Sequence, residues 1–123
     1  MNTHAISWFA IPVLDLERAR RFYNTLFDIT MDDLETSAGT CAVFPQVKTG
    51  IAGSLNPFMD IKPSTDSGVT IWLNAGKDLS VALGRVETAG GKILQSKEQI
   101  GKFGYIAMII DTEGNRIGLH SLQ

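Results

Sequence analysis

The sequence predicts an α+β domain made of two copies of one strand-helix-strands unit, βαβββ in each half. Two observations predict it. An alternating apolar run reaches an Asp-Leu pair and passes into helical spacing at Ile6-Ser7-Trp8-Phe9-Ala10-Ile11-Pro12-Val13-Leu14-Asp15-Leu16. The same passage returns at Val69-Thr70-Ile71-Trp72-Leu73-Asn74-Ala75-Gly76-Lys77-Asp78-Leu79. After each helical stretch the apolar spacing shortens to that of strands. Size agrees: 123 residues, 44% hydrophobic and 20% charged, suit one domain with a real core. Residues 1–123 therefore read as a single domain, with repeat 1 at about 5–55, a connection at 56–67 and repeat 2 at about 68–121.

Taken in order, residues 5–14 read as a strand that is apolar on both faces, with Pro12 near its end where a missing N–H is tolerable. Asp15 suits a helix N-cap, and Glu17 suits the positive first turn. Leu16, Ala19, Phe22, Tyr23, Leu26 and Phe27 follow at helical spacing. Arg18, Arg20 and Arg21 between them read as a solvated face. Short strands are expected at 29–35, 40–45 and 50–55, with turns at Gly39 and at 45–49. The connection at 56–67 carries Phe58, Met59 and Ile61 and is expected to be ordered. A second strand-and-helix passage starts at 68–75. Asp78 is the expected cap of a helix bearing Leu79, Ala82, Leu83 and Val86, which ends at Gly90-Gly91. Strands at 92–97, 103–110 and 115–121 complete the unit, the last two joined by a turn at Asp111-Thr112-Glu113-Gly114-Asn115.

Charge and composition exclude several roles. A net charge of -2 offers no basic excess to neutralise phosphates, so no nucleic-acid partner is expected. No apolar run approaches the roughly 18 residues of a membrane span, so no membrane partner is expected either. No secretory leader pattern opens the chain. The lone Cys41 forms no intramolecular disulfide and suits a reducing, cytoplasmic setting.

Three stretches carry a family resemblance. Phe9-Ala10-Ile11-Pro12-Val13-Leu14-Asp15-Leu16-Glu17-Arg18-Ala19-Arg20-Arg21-Phe22-Tyr23 resembles the opening strand and helix of the vicinal oxygen chelate superfamily. That superfamily includes glyoxalase I, bleomycin-resistance proteins and extradiol dioxygenases. Val86-Glu87-Thr88-Ala89-Gly90-Gly91-Lys92-Ile93 is similar to its helix exit. Ile110-Asp111-Thr112-Glu113-Gly114-Asn115-Arg116-Ile117-Gly118-Leu119 is similar to its final hairpin. The resemblance implies paired βαβββ units whose curved mixed sheets surround a cup, and a homodimer. In its metal-dependent members, His, Glu or Gln from the first and last strands of each half hold a divalent ion that acts as a Lewis acid.

Laid on that pattern, Trp8 and Thr70 occupy the first-strand positions of the two halves. Gly118 stands where the last strand usually carries glutamate, and the remaining position falls near Gly53. Trp8, Gly53 and Gly118 offer no side-chain ligand, and a Thr hydroxyl is a poor one. No metal ligands and no cofactor are therefore assigned; a divalent metal at a displaced site is the disfavoured alternative. His4, His120 and Cys41 form no recognised ligand spacing. Cys41 reads as a buried, inert thiol with no basic neighbour in sequence. Asp32, Asp33 and Glu35 read as a solvated edge.

Strand periodicity extends these positions to a lining of Trp8, Ala10, Thr70, Trp72, Asn74, Gly118 and His120, with Arg116 beside them and Met108 of undetermined parity. Two tryptophans and a few polar groups suit a small apolar or aromatic organic molecule. Glycine at 53 and 118 leaves room beside them. His120 is the one weak candidate for proton transfer, since imidazole titrates near neutral pH. Whether the chain is an enzyme is left open. The expected function is ligand binding of the bleomycin-resistance kind; the alternative is a glyoxalase-type lyase, isomerase or dioxygenase with an atypical metal site.

Overall fold

The computed structural model describes residues 4–45, 50–58 and 60–123. The turn expected at 45–49, apart from Pro45, and Met59 of the connection lie outside them. Each half is a βαβββ unit with its own four-stranded mixed sheet, and neither sheet is closed. In the first half, β1 (Trp8–Pro12) leads through α1 (Leu16–Phe27) to β2 (Asp32–Thr36), β3 (Gly39–Val43) and β4 (Ala52–Asn56). In the second, β5 (Trp72–Asn74) leads through α2 (Ser80–Leu83) to β6 (Lys92–Gln99), β7 (Tyr105–Ile110) and β8 (Arg116–Ser121). The sheet orders correspond: β1-β4-β3-β2 and β5-β8-β7-β6, with β1 parallel to β4 and β5 parallel to β8.

Helix α1 forms where the sequence places it. Asp15 caps it by accepting the Arg18 N–H at 3.1 Å. It ends at Asp28, whose φ of 52° is left-handed while its N–H returns to the Asn24 carbonyl. Helix α2 is shorter than the sequence predicts. Asp78 accepts the Ser80 N–H at 2.9 Å, yet regular helix stops at Leu83. Beyond it the Arg85 N–H bonds the Ala82 carbonyl and the Gly91 N–H bonds the Val86 carbonyl, so the chain continues as irregular turns. Gly84 follows the last helical residue, and glycine there costs about 1 kcal/mol relative to alanine. Strand β5 is also shorter than predicted. Gly68 has a φ of 101°, Val69 and Thr70 are exposed, and the first ladder bond joins the Gly118 N–H to the Ile71 carbonyl.

Both sheets turn one face to a single shared core. Phe22, Tyr23 and Leu26 of α1 are fully buried and belong to one cluster with Ile11, Leu55, Leu73, Ile109 and Leu119. Fully burying one such side chain contributes about 1.5–3 kcal/mol. The helix thus serves both halves, which explains why neither half needs a closed sheet to bury its apolar face.

The last hairpin fastens the halves together. Glu113 accepts the N–H groups of Leu14 at 2.8 Å and Asp15 at 2.7 Å, and Arg18 Nε donates to it at 2.7 Å. Arg20 bonds the Met31 carbonyl at 3.2 Å and pairs with Asp33. Of the arginines read as a solvated face, only Arg21 remains simply exposed. The other two find their partners in distant segments.

Candidate functional site

Pleating separates the residues of each sheet into a helix-facing and a helix-free face. On β1, Phe9 and Ile11 point to the helix, so Trp8 and Ala10 lie on the free face. Trp8 pairs with Ala52 and Ala10 with Ser54 across β1 and β4. The Trp8 indole N–H donates to Ser54 Oγ at 3.2 Å, and Ser54 donates to Asn56 Oδ1 at 2.5 Å. Ser54 was not among the expected lining residues. Only the β1–β4 register, which sets Ser54 opposite Ala10, places it on that face.

Gly53 lies on the opposite face from the one expected. Its partner is Phe9, and a Cβ placed there would meet the Phe9 ring at 2.5 Å. The glycine makes room for a core aromatic rather than for a ligand.

On the second sheet, Leu73, Ile117 and Leu119 enter the core, leaving Trp72, Asn74, Gly118 and His120 on the free face. Met108 pairs with Gly118 and therefore shares that face. Trp72 lies directly across Gly118: a Cβ there would sit 2.2 Å from the indole. The space that this glycine opens is taken by the neighbouring ring. His120 Nε2 stands 2.7 Å from the Phe103 carbonyl, a contact that requires a proton on Nε2 and leaves Nδ1 for another partner. Asn74 Oδ1 accepts the Gly76 N–H at 3.0 Å. Thr70 is exposed and precedes the strand.

Trp8 and Trp72 are exposed by 43% and 44%. Tyr23 and Phe22, by contrast, are fully buried. Among the described residues, two of the hollows flank the junction of the halves, and a tryptophan lines neither. The smaller, about 410 Å³, includes Ala10, Pro12, Lys62, Asn115 and Arg116. The larger, about 740 Å³, includes Phe9, Asn74 and the start of α2.

The expected metal positions, Trp8, Gly53, Thr70 and Gly118, hold an indole, one hydroxyl and two glycines, which do not fit a divalent ion. Among the described residues no three His, Cys, Asp or Glu side chains cluster closely enough to hold one. Cys41 is buried, and burial pushes its thiol pKa up, away from the reactive thiolate.

The profile of the Glyoxalase/Bleomycin resistance protein/Dioxygenase superfamily matches residues 5–119. The chain belongs to that superfamily. Solved structures agree with this superfamily fold. A glyoxalase/bleomycin resistance protein from Streptomyces sp. CB03234 is 22% identical with a TM-score of 0.73, covering 93% of this chain and 97% of its own. TnmS3, an antibiotic binding protein from the same Streptomyces, is 20% identical with a TM-score of 0.72, covering 100% and 99%. A glyoxalase I mutant from Zea mays is 18% identical with a TM-score of 0.67, covering 93% of this chain and 44% of its own. No curated protein matches. Within the superfamily frame, the pairings β1–β4 and β5–β8 occupy corresponding places, each carrying one half-exposed tryptophan. Among the described residues no helix is long and apolar enough to cross a membrane.

Proposed function

We propose that this superfamily member binds a small apolar or aromatic organic molecule on its helix-free sheet faces, without the usual metal. The observation that carries the reading is the pair Trp8 and Trp72, each nearly half exposed on a face that no helix covers. Leaving an indole this open forgoes part of its burial energy, whereas a stacked ligand would recover it. Asn74 and His120 supply polar groups that orient such a ligand, while the buried Ser54 holds the Trp8 indole in place. TnmS3 being an antibiotic binding protein supports the ligand class, and the fold is what the two proteins share.

The site is completed by a second copy in this reading. Within one chain the two free faces look away from the shared core, so a homodimer would bring Trp8 of one protomer toward Trp72 of its partner. A cytoplasmic setting goes with the lone, buried Cys41.

Tryptophan fluorescence titration with a panel of planar aromatic and cationic heteroaromatic compounds tests the proposal, together with sedimentation analysis. Saturable quenching lost in both Trp8→Phe and Trp72→Phe supports it. Absence of any response, or stoichiometric metal that is retained without chelators and lost in His120→Ala, would overturn it.

A further inference from the structure

The geometry points to a second ligand site, on the helix side of the sheets, that takes an amphiphile with an apolar body and one anionic head. This goes beyond the reading above and does not depend on it. The site is the hollow of about 740 Å³ between the halves, within the range of roughly 300–1,000 Å³ that holds small molecules.

Its floor is the open end of the shared core, where Leu26, Leu73 and Ala82 are buried. Its walls are Phe9, Phe44 and Val81. Phe9 and Phe44 pack with ring centroids 5.5 Å apart, and Val81 is 58% exposed. The opposite end of the core is closed by the Asp111–Glu113 hairpin against α1; among the described residues no corresponding hairpin bonds close this end.

Charge at the rim is unbalanced. Lys77, Asp78 and Arg85 line it. Asp78 is paired with Lys97 at 2.8 Å, which holds its carboxyl down at about 2, so its charge is both fixed and neutralised. Among the described residues Lys77 and Arg85 have no ion-pair partner. Arg85 makes one long contact of 3.4 Å, to the Leu26 carbonyl near the end of α1. Two cations with donors to spare above an apolar hollow match a carboxylate on an aliphatic or aromatic body.

Calorimetric titration of the whole chain at pH 7 with decanoate, below its micelle concentration, and with decanol tests this. Decanoate is expected to bind one per chain. Decanol should bind about three- to fivefold more weakly, the size of a partly exposed ion pair. The double variant Lys77→Gln/Arg85→Gln should erase that difference. Val81→Trp, which fills the hollow from an exposed position, should weaken decanoate at least about tenfold. Val81→Lys serves if the larger ring disturbs folding by circular dichroism. Trp72→Ala should bind decanoate as the wild type does, which separates this site from the sheet faces. The inference falls if neither compound binds, if decanol equals decanoate, or if Trp72→Ala abolishes binding while Val81→Trp keeps it. It also falls if Val81→Trp converts a ligand-free dimer to monomer, because the hollow would then belong to a second copy.

Discussion

The Tyr23 hydroxyl donates to Asp111 Oδ2 at 2.6 Å, joining the first helix to the last hairpin across 88 residues of sequence. Both groups are buried, and Asp111 also accepts the Asn115 side-chain amide and the N–H groups of Glu113 and Asn115. Burial, the Asp111 charge and the hydrogen bond together hold the Tyr23 hydroxyl protonated well above its usual range. Tyr23→Phe removes one bond while Asn115 still serves Asp111 Oδ2. It should cost about 1–2 kcal/mol in urea unfolding. Asp111→Ala leaves several buried donors unpaired and should cost about 3–5 kcal/mol.

Acid should weaken the same junction through Glu113. Burial by itself would raise this carboxyl, but the Arg18 guanidinium, the Asp15 N–H and the Thr112 hydroxyl outweigh it and hold the pKa below its ordinary 4.5. The folded state therefore binds the proton less readily than the unfolded chain. The stabilisation is fully present above the unfolded pKa and is lost as pH falls through the folded one. Urea midpoints measured from pH 7 down to acid should show a loss beginning near 4.5. Glu113→Gln should lower stability at neutral pH and flatten that acid-dependent loss.

The two glycines that were expected to open space should respond differently to alanine. Gly53→Ala drives a methyl into the Phe9 ring, which is packed against Phe44 in the core margin. It should cost about 1–3 kcal/mol. Gly118→Ala meets the Trp72 indole, which is free to swing outward on the exposed face. Its cost should be smaller, with the main readout a red-shifted Trp72 emission in a Trp8→Phe background.

Cys41 should be slow toward a thiol-reactive dye in the folded protein and fast in urea, because burial both shields it and raises its pKa. Rapid labelling under native conditions would show that the first sheet opens more readily than its packing implies.

Much of the frame was legible in the residues. The Asp15 cap, the Phe22-Tyr23 stripe and the final turn all appear where spacing puts them, because each rests on short-range chemistry. Less legible were the ends of β5 and α2. There, periodic apolar residues continue past the point where a partner strand or a regular helical bond is present. Arg18 and Arg20 were opaque for a related reason: a charged helix position looks solvated until Glu113 and Asp33 arrive from elsewhere in the chain.

By itself the sequence determined that the domain is duplicated, which strands and helices each copy contains, and that no chelating side chain stands at Trp8, Thr70 or Gly118. Those follow from periodicity, capping and residue chemistry, which are local. Only the tertiary structure decided which face of each strand is free. Trp8-Phe9-Ala10-Ile11 is apolar on both sides, so alternation alone cannot tell the helix side from the open side. The choice is made by the helices: α1 packs its buried stripe on β3 and β4 and meets α2, α2 packs on β6, and Trp8 and Trp72 are left outside.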